Sequence, residues 1–364
     1  MNEHVQVMID WIETRLKDIF SLEKLANHMG YSPYYCSFKF HQTTGVSIRR
    51  YILLRRLFMS TQDLGDGKKI IDIALDYNYS SQEAYSRAFK AMFGVSPKQF
   101  MRQQLPIQSF MKLSIQSNEE DLILRSRKAE VLKLQDKQGE LFDYDVLNIL
   151  NGQVMYEEFR DQKLMGNSDY APFNEAMCVH AATSDIFNEQ FITVRAEGHH
   201  SSVEEYTTKV IEPLRNLSQK NYSYIVLWFG EDMFCQINLL TLLAYLEQID
   251  YKGTVFLNNF REDEFKVNQT ELTLGEYNNI YQQVVVNHQQ PSFKSFKPIP
   301  VIYQAINLYL EMLQEENPVS KYIHQHINVP TTELLPQLFR LFPNIGYGDL
   351  QYIELINKFK KSDN

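Results

Sequence analysis

The sequence predicts a multidomain protein: an all-α N-terminal domain built from two helix-turn-helix units, an α/β middle domain with a Rossmann-like parallel sheet, and a small helical module at the C-terminus. Three observations carry this. One segment occurs twice within the first hundred residues, a strand–helix–strand pattern follows, and the chain after Pro298 has helical periodicity throughout. At 364 residues the chain is long enough for two or three separate cores.

The repeat is close. Ala26-Asn27-His28-Met29-Gly30-Tyr31-Ser32 is matched by Ala74-Leu75-Asp76-Tyr77-Asn78-Tyr79-Ser80, and Gly45-Val46-Ser47 by Gly94-Val95-Ser96. The offset is 48 residues at Ala26/Ala74 and 49 at Phe40/Phe89, so one residue is inserted near Gln82. Such fidelity means one supersecondary unit used twice.

Local signals place each helix. Val5, Met8, Ile9, Ile12 and Leu16 form an apolar stripe, so a helix is expected over 4–17. Ser21 caps a short helix from Leu22 to Met29, with Glu23 in its first turn and Gly30 closing it. Ser32-Pro33 opens the second helix and Gly45 ends it. A connecting helix runs from Ile48 to Gln62. In the second copy Lys69 to Tyr77 is the short helix, and Asn78 takes the left-handed turn held by Gly30 in the first. Ser80-Ser81-Gln82-Glu83 has capping-box spacing before the helix that ends at Gly94.

Charge-rich residues 106–143 read as a linker. The middle domain, residues 144–297, has expected strands at Val146–Leu150, Tyr224–Phe229 and Thr254–Leu257, with a helix over Asn238–Gln248. Residues 298–364 form the helical module.

The net charge of −9 is unevenly spread. Residues 1–105 hold 14 Lys+Arg against 10 Asp+Glu, leaving a strongly acidic remainder. A basic head on an acidic body fits DNA binding by the head alone, because phosphate contacts need cations at the site. Cys36, Cys178 and Cys235 are far apart with no zinc spacing, so they read as buried thiols of a reducing compartment. With no signal-peptide pattern and no long apolar run, a cytoplasmic location is expected.

A major groove admits one helix, and the N-terminal half of that helix faces the bases. The recognition helices are expected at about 32–44 and 81–93. In copy one the candidates are Tyr34, Ser37, Phe38 and Lys39. In copy two they are Ser81, Gln82, Glu83, Arg87 and Lys90. Gln82 suits adenine and Arg87 guanine or phosphate, while Tyr34, Phe38 and Ala84 suit thymine methyl groups. Glu83 either faces the groove or turns back on its own helix.

Residues 5–102 resemble the DNA-binding domain of the AraC/XylS family of bacterial transcription regulators. The motifs are Ser21-Leu22-Glu23-Lys24-Leu25-Ala26, Gly30-Tyr31-Ser32-Pro33, Ser80-Ser81-Gln82-Glu83-Ala84-Tyr85-Ser86-Arg87-Ala88-Phe89-Lys90 and Phe93-Gly94-Val95-Ser96-Pro97. The resemblance implies two helix-turn-helix units binding successive major grooves of double-stranded DNA, with RNA polymerase as a partner of an activator. Asn78 departs from the usual glycine, and Phe38 stands where some relatives have arginine. The N-terminal placement is the Rob-like order. Asn148–Gly152 and Ile225–Gln236 are similar to a bacterial α/β family of unassigned function.

Strand ends in an open α/β sheet line the usual ligand crevice. Asn151, Glu175, Trp228, Asp232 and Gln236 are therefore the candidate ligand-binding residues, although Asp232 equally suits a helix cap and Asn151-Gly152 a tight turn. No nucleotide-loop motif, metal-ligand spacing or methyl-acceptor cysteine is found, so no cofactor, metal or catalytic residue is expected. The expected function is sequence-specific transcription regulation with a body that senses a small-molecule effector or partner. The alternatives are a DNA-targeted enzyme and a regulator whose body is only a dimerisation or protein-interaction module.

Overall fold

The computed structural model describes residues 3–114, 131, 134, 139–261, 266–293 and 297–362. Much of the linker expected at 106–143 lies outside them. The chain divides into two compact units, Met1–Asn118 with Glu311–Asn364, and Glu119–Leu310. The segment expected as a separate C-terminal module is thus divided at Glu311, and its larger part belongs with the N-terminal head.

The head begins with α1 (Glu3–Glu13), α2 (Leu22–Met29), α3 (Pro33–Thr44), α4 (Ile48–Gly65), α5 (Ile70–Asp76), α6 (Gln82–Phe93) and α7 (Pro97–Gln103). The caps are those the sequence signals. Ser21, Ser32, Ser47, Ser81 and Ser96 each accept a backbone N–H from the first turn, and Gly30, Gly45 and Gly94 close their helices at φ 71, 71 and 75°. Asn78 holds its turn at φ 61° and donates its side-chain amide to Lys17 O at 2.7 Å.

Each helix-turn-helix has its own core, and α4 serves both. Ile48, Tyr51 and Ile52 pack with Val5, Ile9, Leu25, Cys36 and Phe40, while Leu57, Phe58 and Leu64 pack with Ile73, Tyr85, Phe89 and Phe93. An 18-residue helix is about 27 Å long, so α4 is a stiff spacer between the two copies. Arg55 and Arg56 on α4 are structural. Arg55 clamps Glu13 through Nε–Oε1 and Nη2–Oε2, both 2.8 Å, and Arg56 donates to Leu16 O and Asp18 O.

The second unit is built on a five-stranded sheet. Its elements are β1 (Val146–Asn151), α8 (Gln153–Asp161), β2 (Asp169–Phe173), α9 (Glu189–Gly198), α10 (Val203–Tyr206), β3 (Tyr224–Trp228), α11 (Met233–Gln248), β4 (Thr254–Arg261) and β5 (Lys266–Leu272). The order is β2-β1-β3-β4-β5. The first four strands are parallel, but β5 runs antiparallel to β4, so the sheet is mixed rather than wholly parallel as the sequence suggested. Four residues separate β4 from β5, which is a hairpin length and too short for a parallel crossover.

After α12 (Pro300–Met312) come α13 (Pro318–Gln325), α14 (Thr331–Leu341) and α15 (Asp349–Ser362). Within the head unit they reach the end of α3. Gly45 lies against Phe342 and Tyr322, and a small cavity there is lined by His41, Gly45, Lys321 and Tyr322.

Candidate nucleic-acid interface

In copy one, the Ser32 cap and Pro33 fix the start of α3, with Cys36 and Phe40 turned into the core. Helical spacing then turns Tyr34 and Phe38 outward, and they are 80% and 51% exposed. Their rings are near-parallel, 8° apart in plane with centroids 6.3 Å apart. Tyr35 turns aside, its ring 4.8 Å from that of Tyr31. Ser37 is half-buried, and Lys39 donates to Gln42 Oε1 at 3.1 Å.

In copy two the same logic buries Tyr85, Phe89 and Phe93 on α6. Tyr85 donates to Ser60 on α4 at 2.9 Å, which fixes the roll of α6 against the spacer. Arg87 and Lys90 are exposed and Gln82 is half-buried at the first helical position. None of the three side chains makes a hydrogen bond among the described residues. Ser81 is the cap itself, its hydroxyl accepting from Ala84 N at 3.2 Å. Glu83 sits one position before the capping-box position. It nevertheless turns back on its own helix, where hydrogen bonds from Ser81 and its own backbone N–H hold its carboxyl below the usual range.

In the second unit, the strand order reverses between β1 and β3, the place where open α/β sheets hold ligands. Four of the five candidate ligand residues lie near the carboxyl ends of the strands, and each is hydrogen-bonded to neighbouring groups of the fold. Asn238 bridges Asn151 Oδ1 and Glu175 O, at 3.0 and 2.7 Å, and Asn151 donates to Cys235 Sγ. Asp232 caps α11 through Cys235 N at 2.8 Å, and burial pushes its carboxyl up. Glu175 is taken up by Arg195, His199 and Tyr206. Burial pushes its carboxyl up, but the His199 hydrogen bond and the Arg195 charge outweigh this and hold it well below the usual range. Arg195 was not singled out from the sequence, where a lone arginine on a helix gives no sign of a buried partner 20 residues away. Trp228 departs from the group. It is fully buried and donates its indole N–H to Asn148 on β1, so it belongs to the core that holds Phe159.

Gln236 donates to Gly230 O, yet its Oε1 meets no partner among the described residues, and neither do the side-chain polar atoms of Asn258 and Asn259 within β4. Each unmade buried hydrogen bond costs about 1–3 kcal/mol. Among the described residues no group of three or more His, Cys, Asp or Glu is placed to hold a metal ion, and no helix is long and apolar enough to cross a membrane.

Two capped recognition-type helices on one stiff spacer define a double helix-turn-helix DNA-binding protein. Comparison with known proteins agrees. A helix-turn-helix domain family matches residues 25–103. The transposon Tn10 TetD protein of Escherichia coli is 38% identical over 106 residues, covering 28% of this chain and 77% of TetD. The right origin-binding protein of Escherichia coli K12 is 35% identical over 99 residues, 27% of this chain and 34% of that protein. A solved AraC-type regulator from Chromobacterium violaceum is 23% identical and aligns with 28% of this chain and 93% of its own, at a TM-score of 0.27. The chain belongs to the AraC/XylS family of DNA-binding transcription regulators.

Proposed function

We propose that this chain activates transcription from double-stranded DNA, with α3 and α6 entering successive major grooves and the unit at 119–310 sensing a small molecule or a partner. The observation that carries the first part is the pair of helix starts at Pro33 and Gln82, both capped by a serine that accepts from the backbone N–H of the third helical residue and both packed on α4. RNA polymerase is the partner an activator needs. The sensing part is supported by the reversal of strand order between β1 and β3 and by buried polar atoms without a partner among the described residues, Gln236 Oε1 on α11 and the Asn259 amide on β4. The parallel strands β2-β1-β3-β4 read as Rossmann-like. No enzymatic step is assigned to this unit, because Asp232 is taken up by its helix cap, Asn151 by Asn238 and Cys235, and Glu175 by Arg195 and His199.

Footprinting of the full chain on duplexes selected from a randomised pool tests the DNA reading. Two protected patches about 10 base pairs apart on one face of the duplex are expected. Protection without a selected sequence would overturn sequence-specific reading. A thermal-shift screen of the full chain against metabolites tests sensing, since a ligand at a hundred times its Kd stabilises by about 2.7 kcal/mol.

A further inference from the structure

We propose that copy one reads thymine by its methyl groups, with Tyr34 and Phe38 acting as one preformed aromatic platform. The proposal rests on the reading of α3 as a groove-entering helix and names what that helix recognises.

The outward positions in the first half of α3 are Pro33, Tyr34, Ser37 and Phe38. They supply two hydroxyls, of Tyr34 and Ser37, and no cation or amide. Ser32 is occupied by its cap and Lys39 by Gln42. The two most exposed large hydrophobic side chains of α3 are Tyr34 and Phe38, while Tyr35 is 39% exposed and leans on Tyr31. Tyr34 and Phe38 lie one helical turn apart with near-parallel rings. On the floor of the major groove the apolar feature is the thymine C5-methyl, and every other recognition group there is a polar donor or acceptor. A helix offering two rings and no bidentate donor therefore discriminates thymine from the other bases by contact with methyl groups. Copy two is built the other way, with Gln82 and Arg87 free to bond base edges.

The geometry also sets a spacing. The ring centroids are 6.3 Å apart, close to two base-pair steps at about 3.4 Å each. The half-site under α3 is thus expected to hold two thymine methyls about two steps apart. The near-parallel alignment of the rings is already present in the free protein, which lowers the cost of ordering them on binding.

Deoxyuridine isolates this contact, since it differs from thymine only by lacking the methyl. In a selected duplex, replacing the thymines of the α3 half-site by deoxyuridine should raise Kd about fourfold per methyl removed. Replacing those thymines by cytosine should weaken binding, and 5-methylcytosine should restore part of the loss. The Tyr34→Ala/Phe38→Ala variant should bind thymine and deoxyuridine duplexes equally. Both side chains are exposed, so circular dichroism should match the parent. Equal affinity of the parent for thymine and deoxyuridine duplexes would overturn the proposal, as would a variant that keeps the full deoxyuridine penalty. Failure to select any duplex would instead count against the groove-reading role of the head.

Discussion

Gly45 and Phe342 are nearly 300 positions apart in the chain, yet a Cβ on Gly45 would stand 2.9 Å from Phe342 Cζ. Gly45 ends the recognition helix of copy one, so the C-terminal helices brace that copy at the end opposite Tyr34 and Phe38. Two requirements meet at this residue, a left-handed φ of 71° and a close approach. Gly45→Ala should destabilise the head by about 2–4 kcal/mol, combining left-handed strain with overpacking. Gly30 has the same φ but no atom within 4 Å of such a Cβ, so Gly30→Ala should show the strain alone, about 1–2 kcal/mol. Urea unfolding of the two variants separates the terms. Equal losses would mean that Phe342 yields freely.

Arg55 is predicted to matter for folding rather than for DNA. Its side chain is 7% exposed and makes a two-point contact with Glu13, which also accepts from Tyr51 at 2.6 Å. Removing one partner of a buried pair leaves an uncompensated charge, so Arg55→Ala should destabilise by about 3–5 kcal/mol. Arg55→Lys should recover only part, because an ammonium cannot make the forked contact. The check is urea unfolding beside DNA binding at a temperature where the variant is folded. A stable variant with weak DNA binding would reassign Arg55 to the phosphate backbone.

The sheet unit should carry a pH dependence from Glu175. Its folded pKa is depressed, through His199 and Arg195 acting against burial, while in the unfolded chain the carboxyl titrates near its ordinary value of 4.5. The stabilisation is therefore fully present above about pH 4.5 and is lost as pH falls from there through the lower folded value. Glu175→Gln should cost about 3–5 kcal/mol at pH 7, since Arg195 is left buried with its carboxylate removed. The gap between parent and variant should narrow below pH 4.5. A gap of constant size down to pH 3 in thermal unfolding would contradict the assignment.

The head was legible in the sequence because its determinants are local. Ser21, Gly30, Ser32, Gly45, Asn78, Ser81 and Gly94 each act within one helical turn, and the repeat states most of these signals twice, the cap at Ser21 having none to match it at Lys69. Two of the three expected strands, β1 and β3, are buried apolar runs, and the third, β4, extends past its apolar start to Arg261. The missed strands are the two edges. β2 holds Pro172, which an edge strand tolerates, and β5 reads Lys266-Val267-Asn268-Gln269-Thr270-Glu271-Leu272 with too few apolar residues to announce itself. Long-range partners left no local trace. Nothing near Glu175 signals Arg195, nothing near Trp228 signals Asn148, and nothing near Gly45 signals Phe342.

Copy two should separate reading from anchoring. Gln82 opens α6, and Arg87 follows one and a half turns later on the exposed side, with neither hydrogen-bonded among the described residues. If both meet base edges, Gln82→Ala and Arg87→Ala should each weaken binding to a selected duplex by about 1–3 kcal/mol, relax preference at one position and leave random-DNA affinity nearly unchanged. Lys90 lies exposed in the last turn of α6, away from the base-reading N-terminal half, so a phosphate contact is proposed for it. Lys90→Ala should weaken selected and random duplexes alike and lower the slope of log K against log salt by about one. Salt titrations on both duplexes distinguish the cases. An Arg87→Ala variant that loses the same affinity on random DNA would place Arg87 on the backbone and leave Gln82 as the hydrogen-bonding reader of copy two.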